Sequence, residues 1–560
     1  MKTKIFIAVF ILIICASNHL IAQNWLWAQS FAGTSGQAGQ DIIAPNNGYI
    51  YSFGIYQLLD AVSPGTVVAG NVTISSQGSS NGFVAQYDQA GNFITITNVQ
   101  SYPVGGFNTG GGGVGFFNYP TADDSNNLYI AVAIAANGLV DTIPVTNSSN
   151  SSPIALSKWN ADSRCLWLHY YGGSSLMARF YGGYYYLLGN YQQPLLKIDS
   201  FQLTDLANKQ QGYLAKTDVQ GNCLWAKQAT GGNIYFKYLD IVDNSICIIA
   251  STDSCFMYDT LNVCPPTGKS LSVLMQLDTG GSIIWSKKII ASDPNSFLYK
   301  IAPIASGGFY MTGGLDTTLC IGNDTLNKLS NEIGDNLIAK FDNYGKILWV
   351  KQIPGGNNGG LAMEGITVDT LGYFYLAGYF TGTQTFGIYS VTAQSARDLF
   401  VTRYSPAGEC MGVVTVPNAQ AYAVTEDSAG NAIVTGAIEA TATFGNTTLT
   451  ASSQTNFFIA KLSAINYPAS ETIVGPQDSL LQIYANPSKG IFTIVVPPSI
   501  VQASNGNLMI YDSQGSIVTN QTVDISSSNL QVNLGEIARG VYTVVLTANG
   551  RQFIGRVVIQ

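Results

Sequence analysis

One short segment recurs seven times, and that recurrence constrains the fold more than any other feature of the chain. It begins at residues 83, 155, 213, 273, 337, 400 and 458, at intervals of 72, 58, 60, 64, 63 and 58 residues. Representative copies are Tyr213-Leu214-Ala215-Lys216-Thr217-Asp218, Leu337-Ile338-Ala339-Lys340-Phe341-Asp342 and Phe458-Ile459-Ala460-Lys461-Leu462-Ser463. Twelve residues into four copies stands Trp167, Trp225, Trp285 or Trp349, with Thr95 and Gly412 in two others. Between the two apolar runs lies a polar, glycine-bearing turn such as Asp342-Asn343-Tyr344-Gly345-Lys346. Such a pair is expected to form a β-hairpin, because Gly supplies the positive φ that tight turns need. An upstream hairpin signal, as in Asp369-Thr370-Leu371-Gly372-Tyr373 and Asp427-Ser428-Ala429-Gly430-Asn431, brings the expected count to four strands per repeat. A further echo links Ile321-Gly322-Asn323-Asp324-Thr325-Leu326, Phe444-Gly445-Asn446-Thr447-Thr448-Leu449 and Gly70-Asn71-Val72-Thr73-Ile74. One such unit cannot bury its apolar faces alone, so repeats must stack on one another.

The seventh copy runs into Ile465-Asn466-Tyr467-Pro468 without a Trp strand. The missing strand stands at the other end of the chain: Trp25-Leu26-Trp27-Ala28-Gln29 matches Cys223-Leu224-Trp225-Ala226-Lys227. A last repeat completed from both termini closes a ring and removes its open edge, which an open solenoid would not explain. In these features residues 24–465 resemble the seven-bladed β-propeller repeat family of secreted bacterial proteins. The expected fold is all-β, a seven-bladed β-propeller followed by a small C-terminal β-sandwich.

The N-terminus reads as an export signal. Lys2 and Lys4 precede an apolar run from Ile5 to Ile14, and the signal is placed at residues 1–23. The run is about half the roughly 20 residues a bilayer span requires, and no later segment is apolar enough, so no transmembrane segment is expected in the mature chain. Ile14 before Cys15 stands where a lipoprotein signal has a small residue. Only 10% of residues are charged and the net charge is −8, which makes nucleic acid an unsuitable partner. Seven cysteines follow the signal, with no C-x-x-C spacing, so no structural zinc site is expected. Cys165, Cys223 and Cys410 hold one repeat position in different units and should not bridge, leaving Cys255 and Cys264 as the local pair.

Residues 466–478 read as a linker, and 479–560 change grammar to short alternating strands between Gly and Asn turns. This segment is similar to the type A C-terminal sorting domain of the type IX secretion system, which carries folded cargo across the Gram-negative outer membrane. Asn486-Pro487 with Gly490 matches the family's Asn-Pro-x-x-Gly turn, Gly540 and Tyr542 its Gly-x-Tyr strand, and Arg556 before an apolar tail its ending. Tyr511 and Gly515 in Leu508–Gly515 complete the expected sorting signal. Ala485 and Arg556 stand where the family usually has Pro and Lys.

Catalytic motifs fail on context. His169, the single His after the signal, falls two residues after Trp167, where other repeats have Lys227, Lys287, Lys351 or Gln29, so an outward strand position is expected. Gly78-Ser79-Ser80-Asn81-Gly82 fits the nucleophile-elbow pattern but lacks the strand-to-helix turn and the His partner. Gly110, Gly112 and Gly115 fit a dinucleotide fingerprint, yet Phe116-Phe117-Asn118-Tyr119-Pro120 follows where a helix should begin. Asp218, Asp278, Asp342, Asp369 and Asp427 recur by symmetry and are read as turn formers. The Tyr-rich stretch Tyr170, Tyr171, Tyr181, Tyr184, Tyr185, Tyr186 and Tyr191 is read as packing between units, with sugar stacking as the alternative. No catalytic residue, metal site or cofactor is expected. The reading is an exported, non-enzymatic cell-surface or secreted binding or adhesion protein handled by the type IX secretion machinery, with a polysaccharide or surface protein as ligand. The alternative is a propeller enzyme, a glycoside hydrolase or polysaccharide lyase acting on extracellular polymers.

Overall fold

The computed structural model describes residues 25–45, 47–57, 64–76, 80–101, 114–134, 138–145, 154–173, 175–204, 209–291, 296–321, 324–330, 334–355, 360–465, 481–496, 505–512, 517–535, 538–548 and 551–560. The signal at 1–23, the linker at 466–478, Gly78, Gly110, Gly112 and Gly515 lie outside the described residues. Contacts divide the chain into two compact units, 1–466 and 467–560.

The described residues of the first unit are all-β and form seven antiparallel four-strand meanders. Each recurring segment is the third strand of its meander, as in Gln211–Thr217, Asp335–Phe341 and Asn456–Leu462. These strands are buried almost throughout, which explains the apolar run at the centre of each, such as Leu337-Ile338-Ala339 and Phe457-Phe458-Ile459-Ala460. The Trp-bearing strands are the outer fourth ones, Cys165–Tyr170, Cys223–Gln228, Ile283–Ala291 and Ile347–Ile353; most of their residues are half-buried, and Leu166, Leu224, Ile284 and Leu348 are exposed. In the seventh meander the outer strand is Trp25–Ser30, paired antiparallel to Asn456–Leu462. Its register repeats that of the continuous meanders: Trp25 faces Leu462 and Trp27 faces Lys461, as Cys223 faces Thr217 and Trp225 faces Lys216, with one bulge at the same place. Successive inner strands contact one another in chain order, and the last, Ala419–Glu426, contacts the first, Gln37–Ile43.

The repeat is larger than the expected four strands. Between second and third strands each repeat inserts a two-stranded ribbon, such as Thr383–Phe386 with Tyr389–Thr392 or Thr441–Phe444 with Thr447–Thr450. The sequence echo at Gly70 and Gly445 marks the turns of two of these ribbons, while Gly322 lies outside the described residues. Ribbons cover edges: Gly138–Val140 adds to the outer strand Phe93–Ser101, and Thr318–Ile321 adds to Ile283–Ala291. Where Trp25–Ser30 ends, Ala32 bridges to Val68 of the first ribbon. Exposed outer edges, the hazard of any sheet protein, are thereby shortened.

Neighbouring meanders are fastened by the Trp residues. The indole N–H of Trp285 donates to Asn343 O at 3.2 Å, and that of Trp349 donates to Pro406 O at 3.3 Å, each in the third turn of the next meander. Gly345 shows why that turn needs glycine: its φ is +72°, and a Cβ there would lie 2.8 Å from the Trp285 ring. Tyrosines do the same work. Tyr310 donates to Gly372 O at 2.7 Å and Tyr171 to Gly221 O at 2.6 Å, both across a meander boundary.

The second unit packs the sheet Gln482–Tyr484, Ile491–Val495 and Asn529–Asn533 with the sheet Ile517–Asp524, Asn505–Tyr511, Gly540–Ala548 and Arg551–Ile559. Phe492, Ile494, Leu508, Val532, Val544 and Phe553 from both sheets share one core, the pattern of a β-sandwich. Among the described residues no helix is long and apolar enough to cross a membrane.

Candidate functional site

The sequence singled out Asp residues, His169 and a Tyr cluster in the ring unit, and the structure assigns most of them to construction. Asp218 Oδ1 accepts the backbone N–H groups of Gln220 and Asn222 at 3.0 and 2.9 Å. Asp278, Asp342, Asp369 and Asp427 hold their turns by the same two bonds. Tyr171, Tyr185, Tyr186 and Tyr191 are buried, and Tyr185 packs 3.8 Å, centroid to centroid, from Tyr129 of the preceding meander. Tyr170 and Tyr184 stay exposed. His169 packs edge-on against Trp167, centroids 5.0 Å apart, and a Cβ on Gly221 of the next meander would lie 2.8 Å from its ring. It is half-buried on the outer strand, at the boundary with that meander. Cys255 and Cys264 are bonded, while Cys165, Cys223 and Cys410 are free thiols, the first two pushed up to about 12 by burial.

The polar residues that face open space sit elsewhere, where the inner strands begin. Five inner strands carry a bulge there, and the extra residue is Gln40, Lys237, Tyr299, Glu364 or Tyr422. A bulge takes one residue out of the ladder and re-aims its side chain, which is why bulges gather at sites. Lys237, Tyr299, Lys300, Asn336 and Glu364 line a cavity of about 380 Å³, with Leu361 and Met363 as its apolar wall. Gly314 in the second strand leaves the room Tyr299 occupies, since a Cβ there would meet the phenol oxygen at 2.3 Å. A neighbouring cavity of about 250 Å³ shares Lys237 and is lined by Tyr235, Asp253 and the hydroxyls of Ser251, Ser270 and Ser272.

The charges there are unevenly matched. Burial pushes the Glu364 carboxyl up, with the Lys300 ammonium opposing it, and Lys300 Nζ donates to Glu364 O. Lys237 Nζ lies 5.1 Å from the centroid of the Tyr235 ring and, among the described residues, makes no ion pair. Further round, Tyr379 and Tyr422 meet edge to face at 6.4 Å, and Arg397 pairs with Glu439 at 3.4 Å. Burial pushes Tyr422 up to about 12. Deeper in the ring, Arg179 Nε lies 3.2 Å from Asp240 Oδ1; burial opposes its charge, and Asp240, with Asp41 of the first meander, holds it cationic. Among the described residues no group of three His, Cys, Asp or Glu side chains is placed to hold a metal ion.

In the second unit several of the sequence-derived sorting residues come together. Asn486 Nδ2 donates to Arg556 O at 2.8 Å, and Asn486 Oδ1 accepts Val558 N–H at 2.9 Å. Ser488, which the sequence reading did not single out, adds a parallel bridge: its N–H donates to Val558 O at 2.8 Å and its carbonyl accepts Gln560 N–H at 2.9 Å. The Asn-Pro turn therefore clasps the final edge strand. Gly490, at φ +95°, packs where a Cβ would lie 2.5 Å from Gly535 O. Tyr542 is buried and donates to Ala538 O at 2.6 Å, while Gly540 opens its strand. Tyr511 pairs with Thr543 one strand away, and the Arg556 side chain is exposed.

Residues 482–560 match the family described as Secretion system C-terminal sorting domain. The tail marks the chain for type IX secretion, to the cell surface or the extracellular space. No curated protein matches the chain in sequence. Among solved structures it is similar to an extracellular domain described as part of a one-component system from B. thetaiotaomicron, at 10% identity and TM-score 0.18, over 93% of this chain and 80% of that one. It is also similar to an exo-beta-1,3-galactanase from Phanerochaete chrysosporium, at 9% identity and TM-score 0.23 over 94% and 96%, and to a glycoside hydrolase family 32 protein from Bifidobacterium adolescentis, at 10% and 0.23 over 95% of each.

Proposed function

We propose that this is an exported, non-enzymatic binding or adhesion protein: a signal peptide at 1–23, a seven-bladed propeller at 24–465 closed by its N-terminal strand, a linker at 466–478 and a sorting domain at 479–560. The seven meanders are its blades. The sorting signal is Asn486, Pro487, Gly490, Tyr511, Gly515, Gly540, Tyr542 and Arg556, read by the type IX machinery. Its ligand, a polysaccharide or a surface protein, docks where the inner strands begin. The observation that carries this reading is the set of five bulges that bring Tyr, Lys, Glu and Gln side chains to one end of the ring while the other end is occupied by turns. Aromatic rings beside hydrogen-bonding groups in a cavity suit a hydroxyl-rich ligand.

The test is an array of polysaccharides and matrix proteins probed with the secreted protein, followed by chain-length analysis of whatever is retained. Retention at unchanged chain length is expected; no retention on any surface would overturn the reading. One observation favours the enzyme alternative, a glycoside hydrolase or lyase: the Glu364 carboxyl, pushed up by burial at a cavity wall, has the character of a general acid. Shortened or unsaturated products, lost in Glu364→Gln, would establish it.

A further inference from the structure

We infer that the two adjoining cavities take an acidic glycan, with Lys237 and Lys300 receiving its anionic group and Tyr235 stacking on the neighbouring sugar. This rests on the binding reading above and specifies its ligand class. In a chain of net charge −8, the larger cavity carries two ammonium groups against one carboxyl. Burial pushes that carboxyl up, and even ionised it leaves one of the two ammonium groups in excess in this cavity. Lys237 is the bulge residue of its strand, is exposed, and has no carboxylate partner among the described residues. An ammonium left unpaired beside apolar walls favours an anion from outside, and the apolar side of the cavity strengthens that attraction.

The geometry asks for more than a small acid. A cavity of about 380 Å³ is at the lower end of the roughly 300–1,000 Å³ of small-molecule sites. A second cavity of about 250 Å³ adjoins it, with Lys237 lining both. The second cavity offers three serine hydroxyls, the Asp253 carboxylate as an acceptor for sugar hydroxyls, and the Tyr235 ring, which is 44% exposed and able to take the apolar face of a pyranose. One charged subsite joined to one hydroxylated, aromatic subsite matches consecutive residues of a polymer. The anion is a carboxylate or a sulfate ester, since either accepts hydrogen bonds from two ammonium groups.

The experiment titrates the full secreted protein with three hexamers: oligogalacturonate, a sulfated galactan oligomer and neutral cellohexaose. An acidic hexamer is expected to bind at least about tenfold more tightly than the neutral one, and the difference should shrink with salt. The tighter of the two acidic probes identifies the anion. Lys237→Met should remove most of the acidic preference while leaving the melting temperature unchanged, and Lys237→Arg should retain it. Equal binding of acidic and neutral hexamers, with Lys237→Met silent, would overturn the acidic assignment and leave glycan binding standing. Failure of all three hexamers would overturn this inference; only failure across the whole array would overturn the binding reading too.

Discussion

The two ends of the inner strands use similar residues for opposite purposes. Where those strands end, carboxylates and cations are consumed by the fold itself. Asp369 pairs with Arg403 at 2.8 Å and Asp427 with Lys461 at 2.6 Å, each joining a first-hairpin turn to the third strand of the same meander, with both partners largely buried. Arg403 also donates to Ile465 O at 3.2 Å, holding the chain as it leaves the last meander. Where the strands begin, bulges break the ladder, and Lys237, Tyr299 and Glu364 line a cavity. The contrast teaches that residue type alone does not mark a site. An Asp whose oxygens are taken by its own turn is structure, whereas a Lys displaced from register into a cavity is available to a ligand.

The comparison breaks most visibly at the turn end. Arg403→Met leaves Asp369 buried without its partner and is expected to cost about 3–5 kcal/mol, read from chemical denaturation of the secreted protein. A loss below about 1 kcal/mol would mean the turn end is not structural. Gly345→Val comes next: positive φ and collision with Trp285 together should cost about 2–4 kcal/mol, with tryptophan fluorescence reporting the displaced ring.

Glu426 sharpens the contrast with a smaller change of opposite sign. It lies among Asp369, Asp427, Arg403 and Tyr375, and Asp427 is itself paired to Lys461. Burial, reinforced by Asp369 and Asp427 and opposed by Arg403, pushes it from its ordinary 4.5 up to about 7. A carboxyl raised in the folded state binds its proton more tightly there than in the unfolded chain. Its contribution is therefore present below about 4.5 and is lost as pH climbs through about 7. Glu426→Gln should stabilise the protein by about 1 kcal/mol at pH 8 and leave it unchanged at pH 4, checked by melting at both values.

Much of this architecture was legible in the sequence, and the reason is local. A third strand buried on both faces keeps an apolar centre, so its seven copies stand out, and in four of them a Trp twelve residues on marks the outer strand. The match of Trp25–Gln29 to Cys223–Lys227 becomes an identical register because the same residues must meet the same third strand. The Asp turn residues and the Cys255–Cys264 pair are likewise short-range matters. What escaped is non-local. The echo at Gly70 and Gly445 was visible, but its being a separate ribbon laid over the outer strand depends on contacts between repeats. The coupling of Trp285 to Gly345 joins residues of different repeats. The bulges leave only a faint trace: Lys237, Glu364 and Tyr422 each precede their third-strand segment by 36 residues. Because the three differ in chemistry, similarity does not find them; only the register does. In the sorting unit Asn486, Gly490 and Tyr542 were legible by resemblance, whereas Ser488 bridges to the last strand through its backbone, a contact between residues far apart in the chain.

The most direct test of the account is hydrogen–deuterium exchange on the full secreted protein, with and without a saturating polysaccharide retained from the array. Protection is expected in peptides covering the starts of the inner strands, 234–240, 297–301 and 361–365, with no change at the turns 369–373 and 427–431. Protection confined to those turns, or spread evenly round the ring, would contradict the division of labour between the two ends.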